Sequence, residues 1–145
     1  MPATNLVNKV LGGAHAMAFR LSKGRVGGRI GEHDVVLLTT TGRRSGQPRT
    51  VPLTYLPDDG RLVLVASNGG RDQHPAWFLN LSADPNVVAQ LHGDETRHLR
   101  ARVATPEEKA VLWPRVVAWW DRYDGYQRKT ARDIPLVILE DAPVG

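Results

Sequence analysis

Six short runs of β-branched and aliphatic residues, each closed by a turn-forming cluster, limit what this chain can fold into. They are Val35–Thr40, Thr50–Leu56, Arg61–Ser67, Asn86–His92, Thr96–Val103 and Ile134–Glu140. Their lengths and bounding residues are those of strands, and Pro57-Asp58-Asp59-Gly60 and Gly93-Asp94-Glu95 read as turns of hairpins. The longest purely aliphatic stretches, Val35–Leu38 and Leu62–Ala66, fall far short of the ~20 residues that cross a bilayer as a helix. Five or six short strands with mostly hairpin connections imply a mainly β, α+β fold: a small antiparallel barrel or sandwich with helices packed outside.

Three helices are predicted around these strands. Thr105 at the N-cap, Pro106 at N1 and Glu108 at N3 form a capping box that starts one of them. That helix directs Val111, Leu112, Val116 and Trp119 toward a core. Pro114 forces a kink or an early restart, and Gly125 with its polar neighbours ends the helical run. Pro75–Leu81 is a short helix with one apolar side. Asn5–Leu21, with Leu6, Val10, Met17 and Leu21 near helical spacing, is an amphipathic arm that covers the body of the domain; peripheral membrane contact is its minority role. Lys9 interrupts the apolar stretch Leu6–Phe19, so it does not read as a secretion signal. With 145 residues, a single domain over 1–145 with arm 1–21 is expected.

The chain has no cysteine, which removes thiol nucleophiles, Cys-ligated metals and disulfides and fits a reducing cytoplasm. The five histidines show no metal-ligand spacing, so no metal is expected. Ser67 lies in no GxSxG elbow, and Gly42-Arg43-Arg44-Ser45-Gly46 lacks the lysine of a nucleotide phosphate loop. Asn80-Leu81-Ser82 is a glycosylation sequon without meaning in a cytoplasmic protein. Residues 1–50 carry eight basic side chains against two acidic ones, a balance of +6, whereas the remainder is slightly acidic. Arginine among glycines suits phosphate or carboxylate, because glycine admits close approach and guanidinium donates in a fork.

Four motifs in order carry a resemblance: TTTGRRSGQPRTVPL, ASNGG followed by PAWFLNL, WPRVVAWWDRYDGYQ, and IPLVILE. Together they resemble the deazaflavin-dependent nitroreductase family, the split-barrel oxidoreductases and quinone reductases that use coenzyme F420, over roughly Leu21 to Glu140. The resemblance implies a small antiparallel split β-barrel, FMN-binding-like, with an N-terminal helix and one or two flanking helices. It implies F420 as cofactor and hydride transfer to a small acceptor, a quinone or, secondarily, a nitro compound. Arg43, Arg44, Ser45 and Arg49 then receive the phosphate and oligoglutamate tail. Ser67, Asn68, Gly69 and Gly70 approach the ring and tail, and Pro75, Ala76 and Trp77 lie along the ring. Trp120, Tyr123 and Tyr126 line the acceptor pocket, where the phenols orient or protonate the acceptor; the phenols, three residues apart, can share a helical face. Relatives often carry Lys at Asn68 and Tyr at Trp120.

Alternatives are an FMN-binding oxidoreductase on the same barrel, a non-catalytic flavin or F420 carrier, and more remotely a nucleic-acid-binding barrel. One phosphate needs fewer cations than a polyglutamate tail, which favours F420 over FMN. The tryptophans sit in predicted helices rather than along a basic strand face, so no nucleic-acid partner is expected. Monomer and homodimer both remain open.

Overall fold

The protein is described from a computed structural model over residues 29–30, 33–91 and 95–142; the predicted arm Asn5–Leu21 and its membrane role lie outside these residues. Eight strands form one antiparallel sheet: β1 (Arg29–Ile30), β2 (His33–Thr41), β3 (Pro48–Thr54), β4 (Leu56–Asp58), β5 (Arg61–Val65), β6 (Asn86–Gln90), β7 (Thr96–Val103) and β8 (Leu136–Asp141). Among the described residues three helices accompany them, α1 (Ala76–Ala83), α2 (Pro106–Trp119) and α3 (Arg122–Arg128), with one 3₁₀ turn at Asn68–Gly70. The fold is α+β, as expected, with three flanking helices rather than one or two.

The hydrogen-bonded order is β2-β6-β7-β8-β5-β4, with β1 and β3 also on β2. Its two ends are tied by the chain rather than by a ladder. β3, on β2, passes through Tyr55 directly into β4, on β5. The predicted four-residue turn shrinks to two residues. Pro57 and Asp58 belong to β4, and only Asp59 and Gly60, with φ of 51° and 82°, turn the corner. Two successive positive φ angles match the right-handed twist of the flanking strands.

Strand alternation divides the core in two. Leu62 and Leu64 of β5 join Val137 and Leu139 of β8 and Val36 and Leu38 of β2 on the face that α1 covers with Trp77, Phe78 and Leu81. Val63, Val65, Leu136 and Ile138 point to the opposite face, beneath Leu112 and Val116 of α2 and Tyr123 of α3. Burial on both faces explains why β5 and β8 read as unbroken apolar runs.

Three details of the predicted helix differ. α2 does not restart at Pro114 but continues through it, with Pro114 and Ala110 both on the exposed side. Val111 is 67% exposed; the buried stripe is Leu112 and Val116, four residues apart, and Val111 lies off it. The helical run ends at Trp120 rather than at Gly125, which sits inside α3. The Thr105 capping box forms in full, with Glu108 N–H donating to Thr105 Oγ1 at 3.1 Å and Thr105 N–H to Glu108 Oε1 at 2.9 Å.

Candidate functional site

Two cavities lie end to end along β3 and meet at Trp77, which lines both. The first, about 490 Å³, is walled by the Gly42–Arg49 turn and the start of α1; the second, about 470 Å³, lies between the 66–75 segment and α3. Every residue singled out from the sequence reaches one or the other except Gly70.

The turn is built to be tight. Gly42 N–H donates to the Gln47 carbonyl at 2.8 Å, and a Cβ at Gly42 would stand 2.7 Å from Ser45 Oγ. Ser45 Oγ accepts from Gln47 N–H at 3.1 Å and from Arg49 Nη2 at 3.3 Å. Asn80 anchors the turn to α1. Its Oδ1 accepts from the Arg43 backbone N–H at 3.2 Å and from Arg43 Nη1 at 3.0 Å, and its Nδ2 donates to Thr40 Oγ1 at 3.2 Å. Asn80 is 5% exposed, so the sequon residue is an interior anchor of the site. Among the described residues no carboxylate pairs with Arg43, Arg44 or Arg49, so this end of the cleft presents uncompensated positive charge.

The second cavity begins where β5 ends. Asn68, Gly69 and Gly70 take positive φ in succession (48°, 66°, 83°), a course open to Asn and Gly at least cost. This places Ser67, Asn68 and Gly69 on the cavity wall and turns Gly70 away, against α3. A Cβ on Gly70 would lie 2.8 Å from the Tyr126 carbonyl oxygen, so Gly70 serves packing rather than the cavity. Behind this strap, Arg132 donates to the carbonyls of Ala66 (3.1 Å), Ser67 (2.9 Å) and Arg71 (2.8 Å) and to His74 Nδ1 (3.1 Å). Burial, reinforced by the Arg132 charge, lowers the His74 pKa and keeps its ring the neutral acceptor this contact requires.

The far wall is aromatic. Tyr123 and Tyr126 do share one face of α3, their ring centroids 5.9 Å apart. The Tyr123 hydroxyl is bonded to Thr54 Oγ1 at 2.9 Å. Burial pushes this phenol up from its ordinary pKa, while the Thr54 bond and the nearby Arg122 charge pull the other way. Trp120 stacks on His33 at 3.7 Å, and the Arg122 guanidinium lies 4.3 Å from the Trp120 ring centroid.

Sequence reasoning missed Asn80, Arg132, Thr54 and Arg122. Asn80 stood inside the PAWFLNL motif but was read only as a sequon. Arg132 and Thr54 meet the site across large sequence separations that no local pattern encodes, whereas Arg122 stood inside the WPRVVAWWDRYDGYQ motif, four residues before Tyr126, where helical spacing could have pointed to it. Among the described residues no three His, Cys, Asp or Glu side chains gather as metal ligands, and no helix is long and apolar enough to cross a membrane.

The antiparallel α+β fold is shared with solved structures. A structure described as an F420-H2 dependent reductase (FDR-A) is 41% identical, with a TM-score of 0.67 over 73% of this chain and 93% of that one. Another, described as a domain-swapped dimer, is 34% identical with a TM-score of 0.69, covering 96% of this chain and all of that one. The class is therefore that of the F420-dependent reductases. The chain belongs to the F420H(2)-dependent quinone reductase family, whose description matches residues 13–141. It is similar to the F420H(2)-dependent quinone reductase of Mycobacterium tuberculosis (strain ATCC 25618 / H37Rv), 39% identical over 129 residues covering 86% of each chain.

Proposed function

We propose that this chain, acting as one domain, transfers hydride from reduced coenzyme F420 to a quinone, with the two cavities dividing the work at Trp77. The observation that carries the reading is this division: an arginine-lined end, with no carboxylate partner among the described residues, beside an aromatic end. The donor set fits the coenzyme's chemistry. Arg43, Arg44 and Arg49 offer forked N–H groups to a phosphate and to the carboxylates of a glutamate tail, and Ser45 adds a hydroxyl. Trp77, Ala76 and Pro75 offer a flat apolar wall to a ring, and Gly69 admits close approach from the other side.

When bound, the reduced deazaflavin supplies the hydride; the protein supplies binding, orientation and exclusion of water. Asn80 holds the Arg43 guanidinium in place before any ligand arrives, which lowers the ordering cost of binding. Trp120, Tyr123 and Tyr126 stack the acceptor against the ring site, and the phenol hydroxyls stand ready to hydrogen-bond its oxygens. Nitro compounds are secondary acceptors in this reading. A cytoplasmic setting agrees with a cysteine-free chain, and a homodimer agrees with the swapped assembly of the 34%-identical relative. FMN carries one phosphate and would leave part of the Arg43–Arg49 cluster unused.

Titrating the purified protein with oxidised and reduced F420, FMN and NADPH, followed by tryptophan fluorescence, tests the reading. Saturable quenching by F420, through Trp77 and Trp120, is expected. Stoichiometric FMN binding with no response to F420 would transfer the assignment to a flavin enzyme.

A further inference from the structure

Arg122 is the first residue of α3 and lines the aromatic cavity with its side chain exposed. No carboxylate among the described residues pairs with it. Its Nε and Nη2 both donate to the Tyr126 hydroxyl oxygen, at 3.0 and 2.7 Å. Its guanidinium carbon lies 4.3 Å from the Trp120 ring centroid and 5.4 Å from that of Tyr126. Two cation–π contacts and a two-pronged hydrogen bond hold the charge in place, where a lone surface arginine would swing in solvent.

The consequence for Tyr126 is a matter of counting. A phenol has two lone pairs to accept with and one hydrogen to donate. Arg122 occupies the acceptor side with two N–H groups, so the hydroxyl hydrogen is left to point away from the guanidinium. Lys129 Nζ, 5.5 Å from the Tyr126 ring, adds a second positive charge nearby. This end of the cavity therefore combines a fixed cation with an O–H donor, suited to an oxygen that is negative or becoming so.

We propose that Arg122 is a specificity-determining residue that selects quinones carrying a negative charge, or gaining one on reduction, beside the reacting carbonyl. The inference rests on reading the aromatic cavity as the quinone site. Hydride addition brings two electrons and one proton to the quinone, and the coenzyme is oxidised by giving up that same pair with its hydrogen. The product at that stage is a hydroquinone monoanion. The second proton passes from the Tyr126 hydroxyl to this oxygen and is replaced on Tyr126 from water. Arg122 lies beside both oxygens while the negative charge exists.

A shape-matched pair tests this: 2-hydroxy-1,4-naphthoquinone, an anion at neutral pH, against 2-methyl-1,4-naphthoquinone, which is neutral. Their equilibrium binding is followed by tryptophan fluorescence in the coenzyme-free protein and again at saturating F420. Wild type should prefer the anion by about fivefold, the scale of an exposed ion pair, and the preference should shrink in high salt. Arg122→Gln should abolish it at unchanged melting temperature. Arg122→Lys should retain part, because charge survives while the two-pronged geometry is lost. In turnover, Arg122→Gln should lower kcat for the neutral quinone more than it raises KM, since the charge there appears only on reduction. Equal affinity for the two quinones in wild type overturns the proposal, as does a preference that survives Arg122→Gln. So does failure of both quinones to bind in either state. F420 quenching with no anion preference defeats this inference alone; absence of F420 quenching defeats the reading of the cleft.

Discussion

Arginine has opposite surroundings on two sides of this molecule. Along the edge formed by β4, β5, β8, β7 and α2, charges alternate in a continuous chain: Arg115–Asp58–Arg61–Glu140–Arg102–Glu108. Each guanidinium there meets a carboxylate, Asp58 is held below its ordinary pKa by Arg115 and Arg61, and Arg102 is driven above its own by Glu108 and Glu140. Beside β3, Arg43, Arg44, Arg49 and Arg122 line cavities, and the guanidinium groups of Arg43, Arg49 and Arg122 meet an amide, hydroxyls and rings instead. A compensated arginine holds the protein's own elements together. An uncompensated one repels its neighbours and is tolerated where a ligand supplies the missing charge.

The largest expected effect falls where the two cleft walls touch. Gly70→Ala adds a Cβ 2.8 Å from the Tyr126 carbonyl at a φ of +83°, and should cost about 3 kcal/mol of stability through clash and backbone strain together. Gly69→Ala has similar strain (φ +66°) but open space, and should cost only about 1 kcal/mol. Equal losses in thermal melts would show that the strap and α3 are not packed as one unit.

Next come the two kinds of arginine. Arg49→Ala should weaken F420 binding by ~1.5–3 kcal/mol, with a smaller penalty when the glutamate tail is trimmed and no change in melting. Arg102→Ala should do the reverse, lowering stability by about 1–2 kcal/mol for a half-exposed network and leaving F420 affinity alone. A swap of these phenotypes would break the comparison.

The same network makes a pH prediction. Glu108 is held at a pKa of about 2, first by Arg102 and then by the Thr105 backbone, against an ordinary value of 4.5. A carboxyl with a depressed folded pKa stabilises fully above its unfolded value and loses that contribution as pH falls. Stability should therefore drop between pH 4.5 and pH 2, by about 1–2 kcal/mol after allowing for solvent screening. Glu108→Gln should flatten that limb of the pH–stability curve; an unchanged limb would assign it to other carboxylates.

The smallest effect separates the phenols. Tyr123→Phe removes the bond to Thr54 and should cost about 1 kcal/mol, whereas Tyr126→Phe, whose hydroxyl meets only the exposed Arg122, should melt like wild type. F420 affinity should be unaffected in both, and a fluorescence titration checks this.

The strands, the capping box and the glycine–arginine turn were legible because each rests on neighbours in the chain. β-branched runs bounded by Gly, Pro and Asp specify extension, and Thr105 with Glu108 satisfies the first helical N–H groups locally. Val111 was misread because burial depends on which side of α2 faces the sheet, and the sheet is assembled elsewhere. Asn80 went unnoticed as a site residue for the same reason. Its side chain is explained only by Arg43 and Thr40, which the fold brings to it from another element.

The family motifs and the order of strands and turns belonged to the sequence alone, since local propensity and residue chemistry suffice for them. Tertiary structure decided that two separate motifs flank a single tryptophan, that Arg132 fastens the strap from behind, and that Thr54 meets the Tyr123 hydroxyl. These depend on distances across the sheet and between helices. A side chain's partners at such separations follow from packing, which no local run of residues encodes.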